Sequence, residues 1–467
     1  MRDLTARLRD IVRQDHGGAR PSPVRELTYV PDTDGLSLDP DRAARALGGV
    51  PAESATGCIV IDRVWEPHDW HGRHAVRAFV AAPTAPLGLF DSRAASTEGW
   101  ARRIVFFDLE TTGLSGGAGT LAFLAGCGWF EGEAFRVRQF FLSSPAGELA
   151  MLAALARIFD EASLVVTFNG RTFDMPLMET RWAFHRTAAP TDDLPHFDML
   201  PPARRLWGAV RSAAAGSAAS VRSAARFSSR DLSAHHFDDE IADPRSSCTL
   251  TSLERTVLGF HRLHDVPGFE IPARYFHFLR TGDPAVVAGV LEHNRHDLLS
   301  LAAVMSYALW LAQEGPLACR ESREQVGLGR LYERAGDTGR AVEAYELATS
   351  ADEHDVRCAA LERLAVLLRR SARYDEAAAA WTRVIELVGR GRGAATPLAR
   401  RAAEALAIHH EHRARDLSAA KRYAEALKTD ATGRFRQEVA HRLDRLDRKL
   451  SVKKRRGETG LNWDAAE

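Results

Sequence analysis

The chain has 467 residues, and its 62 lysines and arginines are matched by 62 aspartates and glutamates. This length favours two or three domains that each bury a core, and the neutral charge balance means that any signal for nucleic-acid binding must be local. The five cysteines are scattered without a Cys-x-x-Cys pair, which argues against both a disulfide framework and a thiolate zinc site.

The N-terminal part, residues 1–56, combines a short charged helix with turns and is predicted to be a leader to the fold. It has no apolar signal core, and no uncharged apolar run in the chain would span a bilayer, so we expect a cytoplasmic protein without a membrane anchor. From 57 to 80, two short strands are predicted around a turn with His68, His71 and His74. That turn has the pattern of a hairpin, which disfavours a metal site.

Strands and helices alternate after residue 100. The periodicity predicts strands at 104–109, 121–130 and 135–142, a helix at 148–160, a strand at 164–168 and a helix at 175–185. This order is typical of a ribonuclease H-like fold, in which helices flank a mixed sheet. We therefore predict an α/β ribonuclease H-like domain over residues 57–315.

An arginine-rich segment interrupts this domain. Residues 203–230 carry six arginines and no acid in a background of alanine, serine and glycine. Two interpretations stay open and are compatible: a solvated insertion, placed at about 209–245, and a basic flap over a phosphate backbone. Beyond it the pattern predicts helices at 249–261 and 284–313, the second of them long and amphipathic.

The chain from residue 320 onward is helical and self-similar. Small and aromatic residues fall at the offsets of a tetratricopeptide repeat, and generic alanine-rich hairpins are the alternative. We predict an all-α, tetratricopeptide-like domain over 320–440 that binds a protein partner, followed by a basic tail over 441–467. The three copies, the third weaker, are carried by Leu328, Gly329, Tyr332, Ala341, Tyr345 and Ala348; Leu364, Ala365, Leu368, Ala377, Trp381 and Val384; and Leu406, Ala407, Ala419, Tyr423 and Ala426.

Two carboxylates, Asp108 and Glu110, end the strand predicted at 104–109. Side chains at i and i+2 share one face of a strand, so both point the same way. Desolvated anions crowded in one patch take up protons or bind a cation, and a divalent metal would neutralise both carboxylates. A solvated acidic strand end is the alternative for this motif alone, so further acids must decide.

Further acids lie at two other junctions. Asp174 follows Asn169 between a predicted strand and its helix, where the helix N-terminus favours a negative charge. His293 and Asp297 stand at i and i+4 on one face of the long helix. A histidine and an aspartate within an apolar stripe indicate a charged group on the sheet below. A structural His–Asp pair is the alternative for this motif alone.

Together these motifs resemble the DEDD exonuclease motifs of the ribonuclease H-like (DnaQ/DEDD) superfamily. A narrower resemblance, over about 57–310, is to the YprB-like exonucleases. It rests on the residues at 206–207, 257–259, 271–272, 275–276, 279–283 and 292–294.

The resemblance implies a metal-dependent 3′–5′ exonuclease that releases nucleoside monophosphates from DNA or RNA. Two divalent ions, Mg²⁺ or Mn²⁺, are implied, and they suit hard carboxylate ligands. Four acids match the metal-binding positions of the family: Asp108, Glu110, Asp174 and Asp297.

The resemblance also suggests a general base. DEDD enzymes place a histidine five residues before the last aspartate or a tyrosine four residues before it, and His293 stands at the spacing of the tyrosine. His293 is the expected base and His296, which points elsewhere on a helix, is the alternative. Asn169 and Asp198 are expected near the metal ligands or the substrate.

Two rival functions remain open. A catalytically inactive scaffold would bind nucleic acid and recruit a protein through the repeats. A metal-dependent phosphatase or nucleotide hydrolase would use similar ligands, but the ordered match to three motifs disfavours it. The glycine-rich loop at 115–119 lacks the Lys-Ser/Thr of a P-loop and is predicted to be a tight turn.

Overall fold

The computed structural model describes residues 40–52, 57–94, 103–113, 119–208, 248–389, 396–428 and 433–459. Predictions for the first 39 residues of the leader, for residues 115–118 of the glycine-rich loop and for 209–247 of the arginine-rich segment lie outside these ranges. Within them, the strands are β1 (Val50–Pro51), β2 (Cys58–Trp65), β3 (Trp70–His71), β4 (His74–Ala75), β5 (Ile104–Thr111), β6 (Ala122–Glu131), β7 (Ala134–Leu142), β8 (Leu164–Thr167) and β9 (His196–Asp198).

Helices cover both faces of the main sheet and make up the C-terminal half. The α-helices of the described residues are α1 (Pro40–Ala46), α2 (Arg77–Val80), α3 (Leu87–Phe90), α4 (Glu148–Asp160), α5 (Asp174–Phe184), α6 (Leu200–Leu206), α7 (Leu250–Leu253), α8 (Ile271–Thr281), α9 (Ala285–Glu314), α10 (Ser322–Ala335), α11 (Thr338–Ala348), α12 (His354–Arg370), α13 (Tyr374–Gly389), α14 (Pro397–His412), α15 (Leu417–Ala426) and α16 (Gly433–Thr459).

The main sheet has seven strands in the order β1-β2-β7-β6-β5-β8-β9. In this order, the neighbouring strands β1, β2, β7, β6 and β5 pair antiparallel, whereas β5, β8 and β9 pair parallel. The central strand β5 is buried on both faces because alternate residues enter different cores. Ile104 and Phe106 pack with α9 and α10, whereas Val105 and Phe107 pack with α4, α5 and α8. The predicted mixed sheet flanked by helices is confirmed.

One local prediction is wrong, and one predicted helix ends earlier than expected. The strand expected after the histidine turn stops at Ala75, and the chain enters α2 because Val76 and Phe79, at helical spacing, are both buried. The helix expected over 249–261 consists of α7 and a π-helical turn at Glu254–Leu258, which Gly259 ends with φ +68°. That left-handed conformation suits glycine.

The C-terminal half is helical, as predicted. Helices α10 and α11, α12 and α13, and α14 and α15 pack as consecutive pairs. Gly329 permits one of these contacts, because a Cβ there would lie 2.4 Å from the Tyr345 ring. Among the described helices none is long and apolar enough to cross a membrane, and all five cysteines are free thiols.

The two halves share one hydrophobic core. Residues from the β5 side of the sheet, from α9 and from α10 through α14 belong to a single buried cluster. Helix α6 lies directly on α10, where Trp207 Nε1 donates to Glu324 Oε1 at 3.0 Å. The helical half therefore supports the face of the α/β half that carries α9.

Candidate metal centre

The end of β5 extends beyond its parallel neighbour. Strand β8 pairs with β5 only from Ile104 to Phe106, so the following residues of β5 lie past the end of β8. Asp108 and Glu110 occupy this extension and face α9. Asn294 Nδ2 donates to Asp108 Oδ2 at 2.8 Å, and His293 Nε2 lies 3.9 Å from Glu110 Oε1. The i, i+2 spacing on β5 thus directs both carboxylates toward one helix.

Helix α9 supplies the facing groups, as the i, i+4 spacing predicted. His293 Nε2 lies 3.4 Å from Asp297 Oδ2 on the same helical face. Glu110, His293 and Asp297 each direct one ligand atom into a space in which these atoms lie within 4.8 Å of one another. Carboxylate oxygens with an imidazole nitrogen are a donor set that binds divalent metals.

Asp174 is the first residue of α5, and its side chain is buried at the end of β5. The backbone N–H of Leu109, on β5, donates to its carboxyl group. The pKa of Asp174 is raised to about 7, chiefly by burial and also by the charges of Asp198 and Asp297, while backbone hydrogen bonds oppose the rise. Asp174 therefore belongs to the same electrostatic cluster as the acids of β5 and α9.

The pKa values of Asp108 and Glu110 are also raised well above their ordinary values. Burial is the largest cause for both, and the neighbouring carboxylates Asp297 and Asp174 add to it. Crowded, desolvated anions of this kind are neutralised by protons or by a cation. The donors are hard oxygens, so this set of residues fits a divalent ion such as Mg²⁺ or Mn²⁺.

Arg262 is a cation that the sequence did not point to. Its side chain is 3% exposed and makes an ion pair with Asp297. Glu254, in the π-helical turn, accepts from Arg262 Nη2 at 2.6 Å and from Nε at 2.8 Å. Asp265 lies 3.4 Å from Arg262 Nη1. The guanidinium of Arg262 thus holds Asp297, one of the candidate ligands. The sequence signal for this turn is Gly259, which breaks the helix between Glu254 and Arg262.

Asn294 and Gln139 form a second buried support. Gln139 Nε2 donates to Asn294 Oδ1 at 2.8 Å, and Asn294 in turn holds Asp108. The contact requires Gly126 on β6, because a Cβ there would lie 2.2 Å from Asn294 Oδ1. In the sequence, Asn294 stands out only as part of the motif shared with the YprB-like family, and no pattern points to Gln139. A glycine in a buried strand is the signal for such close approach.

His293 and His296 face different groups. His293 Nδ1 lies 2.7 Å from Asp265 Oδ1, which leaves Nε2 toward Glu110 and Asp297. His296 Nε2 lies 3.3 Å from Glu292. Of the two histidines, His293 is the one directed into the carboxylate cluster.

Asp198 and Asn169 shape the turn that precedes Asp174. Asp198 is buried and accepts backbone hydrogen bonds from Asn169 (2.8 Å), Arg171 (3.2 Å) and Leu200 (3.0 Å). Asn169 is exposed, has φ +68°, and accepts from Thr172 Oγ1 at 3.1 Å. The structure thus places Asp198 beneath the turn, and a substrate contact of Asn169 stays a prediction.

Two comparisons with known proteins agree with this geometry. A family model described as the RNase H superfamily matches residues 105–309. The uncharacterized protein YprB of Bacillus subtilis (strain 168) is 30% identical over 352 residues, which cover 74% of this chain and 75% of that protein. The matched region contains β5, α5 and α9, which carry the acids. Residues 105–309 therefore form a domain of the RNase H superfamily, and the chain belongs to the family of YprB.

Proposed function

We propose that this protein is a metal-dependent 3′–5′ exonuclease that hydrolyses phosphodiester bonds of DNA or RNA. The observation that carries the proposal is the convergence of buried acids from β5, α5 and α9 on one space. Enzymes of the RNase H superfamily usually hydrolyse nucleic acids with divalent metals, which supports the coarser assignment as a nuclease. The DEDD order of the acids supports the exonuclease assignment.

The four acids Asp108, Glu110, Asp174 and Asp297 would hold two ions, Mg²⁺ or Mn²⁺. Bound ions of this kind supply activation of a water molecule and charge stabilisation at the leaving 3′ oxygen. We assign His293 to orient the attacking water or accept its proton, because Asp265 fixes Nδ1 and leaves Nε2 toward the acids. Asn294 and Arg262 hold Asp108 and Asp297 in place.

The second candidate is an inactive scaffold that binds nucleic acid. The presence of all four acids favours hydrolysis over this alternative. In either case we propose that the tetratricopeptide-like half binds a protein partner in the cytoplasm, as its paired helices suggest. The substrate assay below separates the two candidates.

The test is hydrolysis of 3′- and 5′-labelled single-stranded DNA and RNA in Mn²⁺, Mg²⁺ or EDTA. We expect mononucleotide release from the 3′ end with either metal and none in EDTA. Asp108→Asn should lower the rate by about a hundredfold or more, because it removes a charged ligand of the ions that would stabilise the reacting phosphate. Asp160→Asn, an exposed acid at the end of α4, is the matched control and should keep full activity.

A second readout follows the metal itself. Mn²⁺ should raise the melting temperature of the intact protein and of Asp160→Asn, since a ligand that binds only the folded state stabilises it. The shift should be smaller in Asp108→Asn. Undiminished hydrolysis by Asp108→Asn would overturn the proposed site, and tight strand binding without any hydrolysis would support the scaffold.

A further inference from the structure

Three aromatic rings form a nearly parallel column where α9 meets α6. The ring centroids of Trp207 and Tyr307 are 6.2 Å apart with planes at 11°, and those of Tyr307 and Trp310 are 5.7 Å apart at 20°. Tyr307 is buried, whereas Trp310 is 39% exposed. The column therefore ends on a tryptophan to which another flat ring can be added.

Trp310 lines a cleft of about 500 Å³ between α9 and the segment from α2 to Pro83. This volume lies in the range of small-molecule sites. One wall is apolar and includes Phe79 and Ala82, and the other carries Ser306, Tyr307 and Trp310. His74, Glu314 and Arg320 complete the lining. The cleft thus combines an aromatic surface with charged groups.

Two polar side chains in this cleft are incompletely satisfied. Ser306 is 2% exposed, and its hydroxyl has no hydrogen-bond partner among the described residues. Arg320 is exposed, and its guanidinium carbon lies 5.0 Å from the centre of the Tyr307 ring. Its side chain contacts His74 Nε2 and the Val257 carbonyl at 3.4 Å each, and among the described residues no carboxylate lies within ion-pair distance of it. A buried hydroxyl and an unpaired guanidinium fit a ligand with polar edges and an anionic group.

The cleft and the acids lie along the same helix. Asp297 and Trp310 are thirteen positions apart on α9, which corresponds to about 20 Å along the helix axis and about 140° around it, so a strand that contacts both must pass around the helix. The β3–β4 hairpin reaches both regions, because His71 hydrogen-bonds to Ser300 at 2.8 Å and His74 lines the cleft. A stacked strand needs about six nucleotides to cover the axial distance of about 20 Å, and an extended strand needs fewer.

We propose that this cleft binds one nucleotide of the substrate strand, several positions from the end that is hydrolysed. Its base lies on Trp310 and its phosphate faces Arg320. Ser306 and Glu314 are placed to bond the polar edge of the base. The inference rests on the proposed function, since it assigns a second contact point to the same substrate.

Nucleic acid accounts for the lining better than an apolar ligand does. Stacking on an aromatic ring accepts any base, and an arginine beside the ring binds the backbone. The proposal therefore predicts a contact that depends on strand length and not on sequence. A strand that ends short of the cleft should not sense a change at Trp310.

The test measures binding of labelled oligonucleotides to the full chain in EDTA. We expect Trp310→Ala to weaken binding of a strand of about 12 nucleotides by about tenfold, and Trp310→Phe to keep most of it, because one stacked base is lost or retained. Binding of a strand of about 3 nucleotides should be unchanged, since it does not span the distance. Trp70→Ala, which changes an exposed tryptophan outside the cleft, is the control.

Several outcomes would overturn the inference. These are equal binding of the long strand by Trp310→Ala and the intact protein, an equal loss for both strand lengths, and binding of AMP as tight as that of the strand. Ser306→Val, which fills the polar corner, should also weaken only the long strand. If Asp108→Asn abolishes hydrolysis while Trp310→Ala leaves binding intact, the cleft proposal fails and the nuclease proposal stands. If Trp310→Ala weakens binding but the protein hydrolyses no strand, the nuclease proposal fails and the cleft proposal stands.

Discussion

At the scale of single residues, Asp297 is held by a buried ion network before any metal binds. Arg262 joins Asp297 to Glu254, whose side chain is 1% exposed. Opposite charges at this depth are costly to separate, because each would be left desolvated without a partner. The ion pair between Arg262 and Glu254 therefore fixes the candidate ligand Asp297. It also makes the stability of the fold depend on both partners being present.

Arg262→Gln should lower the free energy of unfolding by about 3 to 5 kcal/mol, since Glu254 would be left as a buried, unpaired charge. Denaturation in urea with the metal removed measures this effect. Arg274→Gln is the control, because Arg274 pairs with Glu270 at an exposed site on α8 and its loss should cost about 0 to 1 kcal/mol. Equal destabilisation by the two substitutions would contradict the network.

Local spacing predicted part of this cluster and could not predict the rest. The i, i+2 pair on β5 and the i, i+4 pair on α9 were visible because regular elements fix which side chains share a face. Glu254 and Arg262 were invisible, because an irregular turn brings them to Asp297 over 35 or more positions. Asn294 and Gln139 are likewise partners across 155 positions, and periodicity carries no information at that range.

At the scale of elements, sequence periodicity identified those with long, uniform patterns. Strands β5 to β8 and helix α9 were predicted within about two residues of their ends, as is usual for boundary assignments. The histidine turn was harder, because His71 and His74 pair across β3 and β4 and the chain then enters α2. Tertiary contacts contribute there, because the buried His71 joins the hairpin to α9 through Ser300.

His71 should make the docking of this hairpin sensitive to acid. Its pKa is lowered to about 3, chiefly by burial and also by the charges of His296, Arg262 and His74. The ring faces Phe260 and Ser300. The unfolded chain takes up the proton first, so the contribution is complete above about pH 6.5 and is lost toward pH 3. The free energy of unfolding should fall by up to about 1.4 kcal/mol per pH unit from this residue.

Urea denaturation at about pH 7.5, 6.5 and 5.5 checks this dependence. His71→Asn should be less stable at the highest pH and should lose less stability on acidification than the intact protein. His68→Asn changes an exposed histidine of the same turn and should keep the original pH dependence. The same slope in all three proteins would rule out a role of His71.

At the scale of the whole molecule, the sequence suggested two separable halves, whereas the structure packs them through a common core. Gly327 on α10 lies against the backbone of α6, and Tyr332 on α10 donates to the Ala312 carbonyl at 3.0 Å. A repeat pattern reports how helices pair with their neighbours in sequence. It carries no information about which face of the first helix pair meets the α/β half.

Gly327→Ala therefore tests how strongly the halves depend on each other. A Cβ at this position would lie 2.6 Å from the Cα and the carbonyl oxygen of Leu206. Backbone atoms cannot move aside as a flexible side chain does, so we expect a loss of about 1 to 3 kcal/mol in the free energy of unfolding. Gly339→Ala, in α11, meets only Asp337 Oδ1 at 3.8 Å and should stabilise by up to about 1 kcal/mol.

The form of the unfolding transition shows whether the two halves unfold together. If both halves unfold as one unit, tryptophan fluorescence and far-ultraviolet circular dichroism should report one coincident transition, displaced to lower urea in Gly327→Ala. Separate transitions, with the change confined to one of them, would show that the halves fold independently. The common core that joins α9 to the helical half favours the single transition, because α9 carries Asp297 near its middle and packs with its C-terminal part on the helical half.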